Sequence, residues 1–329
     1  MIKRTTLALL VGLYSYVCTQ AQSIHFSDYS HAAHSLSPAL IGDYSGSLKV
    51  GTTTREQYRA FISNPFKTTT AFVDAPIAAG LPENQWLGVG AEFSNTEAGD
   101  LSLQRLSTRL GLSYHRALDK RFKTVVGLGF QLATINNSIK NREAAKFEDE
   151  ILGLSESLDQ NLLRNQNSTD LVVHTGAYLK KRFNKTVSFH GGISIQNISV
   201  TEKRLPFTYG IYGQWSITKS KKISLHPSFI FQTHSGLTNA VAFLGLKEKN
   251  FLNKDITIEY RLGYRLRDAL IAGFRIKKGQ WSAGLHYDLT VSSASNYNGL
   301  NGAFEIGLAR TFIIYPKVKE KVIHICPRL

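Results

Sequence analysis

Between Arg121 and Ala133 the chain alternates strictly. Phe122, Thr124, Val126, Leu128, Phe130 and Leu132 fall on one face, and Lys123, Val125, Gly127, Gly129 and Gln131 on the other. Successive side chains of a strand point to opposite faces, so this is a strand with one apolar face and one polar or tiny face. The same period recurs from Thr186 to Asn197, Ile256 to Arg265 and Trp281 to Val291. A soluble β-sandwich also alternates, but two features point elsewhere. These runs extend over ~9–13 residues, longer than the ~5–6 usual in soluble sheets and suited to tilted spanning strands. Their second face also carries charge deep inside the strand, as at Lys180, Arg182, Glu259, Arg261 and Arg275. The pattern predicts an all-β transmembrane antiparallel β-barrel whose apolar face meets lipid and whose polar face lines a lumen. The predicted lumen-lining residues are Lys123, Gln131, His174, Arg182, His190, Glu259, Arg261, Arg265, Arg275, His286, Asp288 and Glu305.

About fourteen such segments fit between 46 and 315, from 46–59 and 67–75 to 281–291 and 303–315. An even count is what a single-chain barrel requires, and it places both ends of the barrel domain in the periplasm. Every second connection is short and basic (Asp119-Lys120, Asn184-Lys185, Lys219 to Lys222, Lys277 to Gln280), while the others include the long ones. The longest, 136–169, is expected to be an extracellular loop. It holds six of the 24 acidic residues, and Phe147, Ile151, Leu154, Leu158 and Leu162 recur in it at helical spacing.

The first 21 residues read as an export signal, with Lys3 and Arg4 ahead of an apolar run from Leu7 to Val17 and cleavage expected after Ala21. That run is too short to span a bilayer, which takes ~20 apolar residues. Residues 22–45 then form a periplasmic N-terminal segment, longer than a barrel needs and a possible plug or docking element. The barrel itself covers 46–315, and 316–329 is a basic periplasmic tail. Losing Lys3 and Arg4 lowers the formal charge from +15 to +13. The cations are spread through turns and the inward face without a single basic stripe, which argues against nucleic acid as a partner. With two cysteines in all, no disulfide framework or Cys-rich metal site is possible. The reading is of an exported outer-membrane protein of a Gram-negative cell, with the lipid bilayer as its solvent.

Chemical motifs are sparse. G-x-S-x-G, H-E-x-x-H and P-loop patterns are missing, as are paired cysteines. His286 and Asp288 share a strand face, which lumen polarity explains without catalysis. No enzymatic activity, cofactor or metal is therefore expected. The candidate partner-docking residues are Pro38 and Gly42 in the N-terminal segment, with Lys317, Lys319, Lys321 and Arg328 in the tail.

Short motifs run through the chain in one order. Gln22-Ser23-Ile24-His25-Phe26-Ser27-Asp28-Tyr29 is followed by Ser37-Pro38-Ala39-Leu40-Ile41-Gly42, then by Tyr58-Arg59. Gly88-Val89-Gly90 leads to Asn95-Thr96-Glu97-Ala98-Gly99, and Leu112-Ser113-Tyr114-His115 and Ser168-Thr169-Asp170 come next. Gly192 to Asn197, His226-Pro227-Ser228, Gly284-Leu285-His286-Tyr287-Asp288 and Gly302 to Ile306 complete the series. Together they resemble the PorP/SprF family, whose pattern opens "Q-D-x-H-F-S-Q-F" and continues "N-P-A-x-x-G". Ser37 stands where that family has Asn, and Gly302-Ala303-Phe304 departs from its G-S-H. The resemblance implies an outer-membrane component of type IX secretion and gliding in Bacteroidota. Such a barrel would bind or anchor secreted adhesins with a C-terminal sorting domain and work beside periplasmic secretion-ring or peptidoglycan-binding proteins. The alternative is a general outer-membrane pore for small solutes, which would need an open lumen.

Overall fold

The computed structural model describes residues 25–59, 62–144, 167–200, 205–234, 237–293 and 295–314. Fourteen strands, β1 (Leu48–Gln57), β2 (Phe66–Ile77), β3 (Gln85–Ala98), β4 (Leu103–Ala117), β5 (Thr124–Ile139), β6 (Ser168–Arg182), β7 (Val187–Ser199), β8 (Thr208–Thr218), β9 (Ile223–His234), β10 (Leu237–Glu248), β11 (Ile256–Arg265), β12 (Ala269–Lys278), β13 (Trp281–Thr290) and β14 (Asn301–Phe312), form a meander in which each pairs antiparallel with its sequence neighbours. The sheet closes where β1 pairs with β14, from Leu48 opposite Phe312 to Gln57 opposite Ala303. Closure leaves no free edge, the condition for carrying a sheet through hydrocarbon. No described helix is long and apolar enough to cross a membrane.

The two faces of the wall invert the soluble pattern. Leu110, Leu128 and Leu262 are 63%, 62% and 68% exposed, while Arg109, Gln131 and Arg261 on the opposite face are buried. Charge inside and leucine outside is the arrangement of a barrel in lipid. Near the end where β1 starts and β14 finishes, here the near mouth, Phe189, Trp215 and Phe229 pack on the outer surface with centroids 5.0 and 6.0 Å apart. Of these, Trp215 is the amphipathic ring of the kind enriched at a membrane interface.

Local chemistry sets the near-mouth turns. Asp119 accepts hydrogen bonds from the backbone N–H groups of Arg121, Lys123 and Thr124 at 2.7–3.0 Å. Asn184 does the same for Thr186 and Val187. Both are Asx-type turns in which the side chain replaces a backbone acceptor. Pro227 leaves a mark on the wall as well. The β8–β9 ladder skips from Gln214–Ser228 to Ile217–Leu225, because proline has no N–H to give. The neighbouring His226 ring fills the gap, bonding the side chains of Gln214 and Ser216 at 3.3 and 3.2 Å.

The strands differ in length. β3 to β6 run 14, 15, 16 and 15 residues, against ten each for β11 to β13. The extra pairs toward the far mouth are polar ladders such as Thr169 to Asn136 and Gln104 to Asn95, which continue the sheet where water can solvate it. The connection expected over 136–169 accordingly shrinks to 140–167. The helix expected at Phe147 to Leu162 lies outside the described residues, as do the export signal and the tail from Lys317 onward.

Candidate functional site: a lumen crossed by the chain's own N-terminal segment

Residues 25–47 run through the barrel as a strap. His25 lines a far-mouth cavity with Gln57, Tyr58, Leu237 and Arg267, whereas Ser47 donates its N–H to the Phe312 carbonyl at the near mouth. The even strand count thus fixes where β1 begins, but the described chain starts at the opposite mouth. Phe26, Ala32, Ala39 and Ile41 are at most 1% exposed, so the strap carries its own small core into an otherwise polar lumen. Its fold is a series of tight turns. Asp28 caps the 3-10 turn Tyr29–His31 and Ser37 caps Pro38–Leu40, with a single α-turn, Ala33–Leu36, between them. Asx and Ser caps with Pro at the first helical position are the local signals for such turns.

At its far end the strap is held by charge. Glu305 accepts the N–H groups of Ser27 and Asp28 at 2.7 and 2.8 Å. Asp288 accepts from the Ser27 hydroxyl at 2.7 Å and pairs with Arg55 and Arg265 at 2.8 and 2.7 Å. Asp28 pairs with Arg261 at 2.9 Å and lies 3.7 Å from Arg275, which also pairs with Glu259. Paired and hydrogen-bonded in this way, buried charges are tolerated.

Its middle is held by backbone contact. A Cβ built on Gly88 would lie 2.2 Å from the Ile41 carbonyl oxygen. On Gly129 it would lie 2.2 Å from the Ala39 nitrogen, and on Gly176 2.3 Å from the Ser37 hydroxyl. Glycine is what lets two backbones approach this closely. Ser113 donates to the Ile41 carbonyl at 2.6 Å, and His115 Nε2 reaches the same oxygen at 2.8 Å. Ser113 and His115 are themselves 2.8 Å apart, the spacing of a nucleophile and base. Both are sealed beneath the strap, at 3% and 0% exposure, and the carbonyl accounts for their polarity. Asp74 accepts the Gly42 N–H at 2.8 Å, and Trp86 Nε1 donates to the Gly42 carbonyl at 3.2 Å. At the near mouth Asp43 pairs with Lys180 and His190 at 3.2 and 3.4 Å. Burial acts to raise its carboxyl, but Lys180, with His190 beside it, holds it below its ordinary value.

A sequence profile described as type IX secretion system membrane protein PorP/SprF matches residues 18–309. The chain belongs to the PorP/SprF family. It is therefore an outer-membrane barrel with a role in the type IX secretion system. Among solved structures, the Ralstonia pickettii toluene transporter TbuX is similar at 11% identity and TM-score 0.50, over 87% of this chain and 94% of that one. The P. putida toluene transporter TodX is similar at 10% identity and TM-score 0.49, over 85% and 93%. At 11% identity the likeness to TbuX is one of fold. No curated protein matches the sequence.

The PorP/SprF barrel distributes the sequence-predicted residues unevenly. Glu259, Arg261, Arg265, Arg275, His286, Asp288 and Glu305 surround residues 27–31 of the strap. Gln131 and His174 are buried on the inner face of β5 and β6, and His190 meets Asp43. Two placements are corrected. Lys123 lies in the turn before β5, and Arg182 closes β6 at the near mouth. Both keep the inward parity of their strands but lie exposed beyond the lumen. Pro38 and Gly42, expected on a docking surface, are buried against the inner wall and are not presented to a partner. The tail candidates Lys317, Lys319, Lys321 and Arg328 lie outside the described residues. Sequence reasoning missed Asp28, Arg55, Asp74, Glu92 and Arg109. The last four sit at inward parity in β1 to β4, where Arg109 pairs with Glu92 and Ser35 donates to Glu92 at 2.8 Å. A usable signal was the row of inward glycines, Gly88, Gly111, Gly129 and Gly176, which marks a surface stripped of side chains for something to lie on.

Proposed function

We propose that this barrel holds secreted surface proteins of the type IX system, rather than conducting small solutes. The observation that carries the reading is the strap, which crosses the lumen and is tied to both mouths and to most of the wall. A general pore needs an open path, and here Arg55, Arg261, Arg265, Asp288 and Glu305 of the wall hold the strap across it. With the lumen occupied, the surfaces left for a protein client are the far rim and its loops. The family resemblance supports adhesin-type cargo with a C-terminal sorting domain, a contribution to gliding, and cooperation with periplasmic secretion-ring or peptidoglycan-binding proteins. Export through a signal cleaved after Ala21 and the absence of enzymatic turnover belong to the same reading. The test is gentle-detergent purification of the tagged protein from its native membrane, with mass spectrometry of what co-purifies, beside single-channel recording of the pure protein. Co-purified proteins sharing a C-terminal domain, with a closed baseline, are expected. Steady solute conductance without protein clients would favour the pore.

A further inference from the structure

The near mouth holds an excess of cations. Between the strap and β10 to β14 lies an open vestibule of about 550 Å³. Five cations line it, Lys49, Lys247, Lys249, Arg275 and Lys277, against two carboxylates, Asp255 and Glu259. Glu259 is already engaged by Arg275 and by His226 at 3.5 Å, and Asp255 lies exposed in the rim turn. No carboxylate among the described residues lies within salt-bridge distance of Lys49, Lys247, Lys249 or Lys277. Lys49 donates to the Ser30 carbonyl at 3.4 Å and lies 5.4 and 5.8 Å from the ring centres of Phe72 and Tyr44, without a carboxylate partner. This differs from the far half of the same lumen, where Arg55, Arg261 and Arg265 are each matched to an acid.

We propose that the near-mouth vestibule receives an acidic, extended peptide segment of a partner protein. The proposal deepens the partner side of the reading above and rests on it only for the partner being a protein of the secretion assembly. Three features favour this occupant. The lysines come from β1, from the end of β10 and the turn after it, and from β12, so they surround a volume instead of converging on a point. Flexible ammonium groups spread in this way match several carboxylates in a row, whereas a single phosphate needs its donors convergent on one point. The cavity lies behind the wall, away from the lipid face, which disfavours a lipid headgroup. Finally, the neighbouring near-mouth turn carries Lys219, Lys221 and Lys222, so the approach is attractive to an acidic chain before contact is made.

The probe is fluorescently labelled hexaglutamate, with hexaglutamine as control, titrated onto the full chain in detergent or nanodiscs and read by anisotropy. Hexaglutamate is expected to bind, to weaken as salt rises, and to resist competition by millimolar phosphate or by anionic lipid. The triple substitution Lys49→Gln, Lys247→Gln and Lys277→Gln is expected to lower affinity about ten-fold or more. The matching Lys→Arg triple, which keeps the charge, is expected to retain binding, and heat-modifiable gel mobility confirms that each variant is folded. Equal loss on changing Lys219, Lys221 and Lys222 to Gln would overturn the proposal, as would full competition by phosphate or lipid or binding indifferent to the vestibule triple. Loss of cargo display in cells whose barrel still binds hexaglutamate would count against the proposed function and leave the vestibule standing.

Discussion

Along β3 to β6 the strap meets a wall from which side chains have been removed, with Gly88, Gly111, Gly129 and Gly176 facing Ser37 to Ile41. Along β11 to β14 and β1 it meets a wall of long charged side chains, and Asp28 and Ser27 are held by Arg55, Arg261, Arg265, Asp288 and Glu305. The two regions fail differently. Where backbone lies on backbone, as Ile41 on Gly88 and Ala39 on Gly129, no rotamer can absorb an added methyl, so the seat is sensitive to volume. A charged seat can shift its side chains, but it is sensitive to the loss of any one partner, because a buried charge left alone keeps its desolvation cost.

The largest effect should follow a break in the charged side. Asp28→Ala would strand Arg261, leaving Arg275 with Glu259 alone, and removing one partner of a buried pair typically costs ~3–5 kcal/mol. Denaturant unfolding in micelles measures it, and a loss under about 1 kcal/mol would show that these arginines have other outlets. Next come the lipid-facing leucines, which should not distinguish the two regions at all. Leu128→Arg on the glycine side and Leu262→Arg on the charged side should each cost ~2–4 kcal/mol if near the midplane. Unequal refolding of two variants at matched depth would mean that the inward and outward faces are coupled. A smaller cost, ~1–3 kcal/mol, is expected for Gly129→Ala, whose methyl would collide with the Ala39 backbone. Because the strap would have to lift, the same variant should raise single-channel conductance, and unchanged conductance would show that the wall gives way instead.

The smallest effect concerns pH. Asp43 is held below its ordinary value by Lys180 and His190 against the opposing pull of burial. A carboxylate depressed in the folded state stabilises fully above its unfolded value near ~3.9, and the contribution fades as pH falls through the lower folded one. The near-mouth end of the strap should therefore stay seated at neutral pH and loosen only in strong acid. Trp86, bonded to the Gly42 carbonyl, is a fluorescence reporter for it. Release beginning near pH 6 would point to His190 instead.

Period-two alternation, together with strand length, charge on the inward face and the alternation of short and long connections, determined the barrel, its approximate strand number and the facing of its residues. Each depends on local geometry that repeats every second residue, and on the rule that only a closed sheet satisfies its backbone in lipid. The strand starts at 187 and 223 were legible from the short basic connections before them, where Asn184 and Ser220 accept the N–H groups of Val187 and Ile223, whereas the start at 124 was read three residues early. The inward acids and bases were legible as a class. Their pairing was not, since Asp28 and Arg261 are joined by 233 residues of sequence separation that carry no periodic signal. The inward glycines of β3 to β6 were visible, but glycine reads the same whether a strand bends, bulges or bears another backbone. Only the tertiary structure decided between these, by laying Ser37 to Gly42 upon them. It also decided that Pro38 and Gly42 face inward and that Lys123 and Arg182 lie past the rim. Parity tells which way a side chain points, but not at which height the wall ends or what already fills the space.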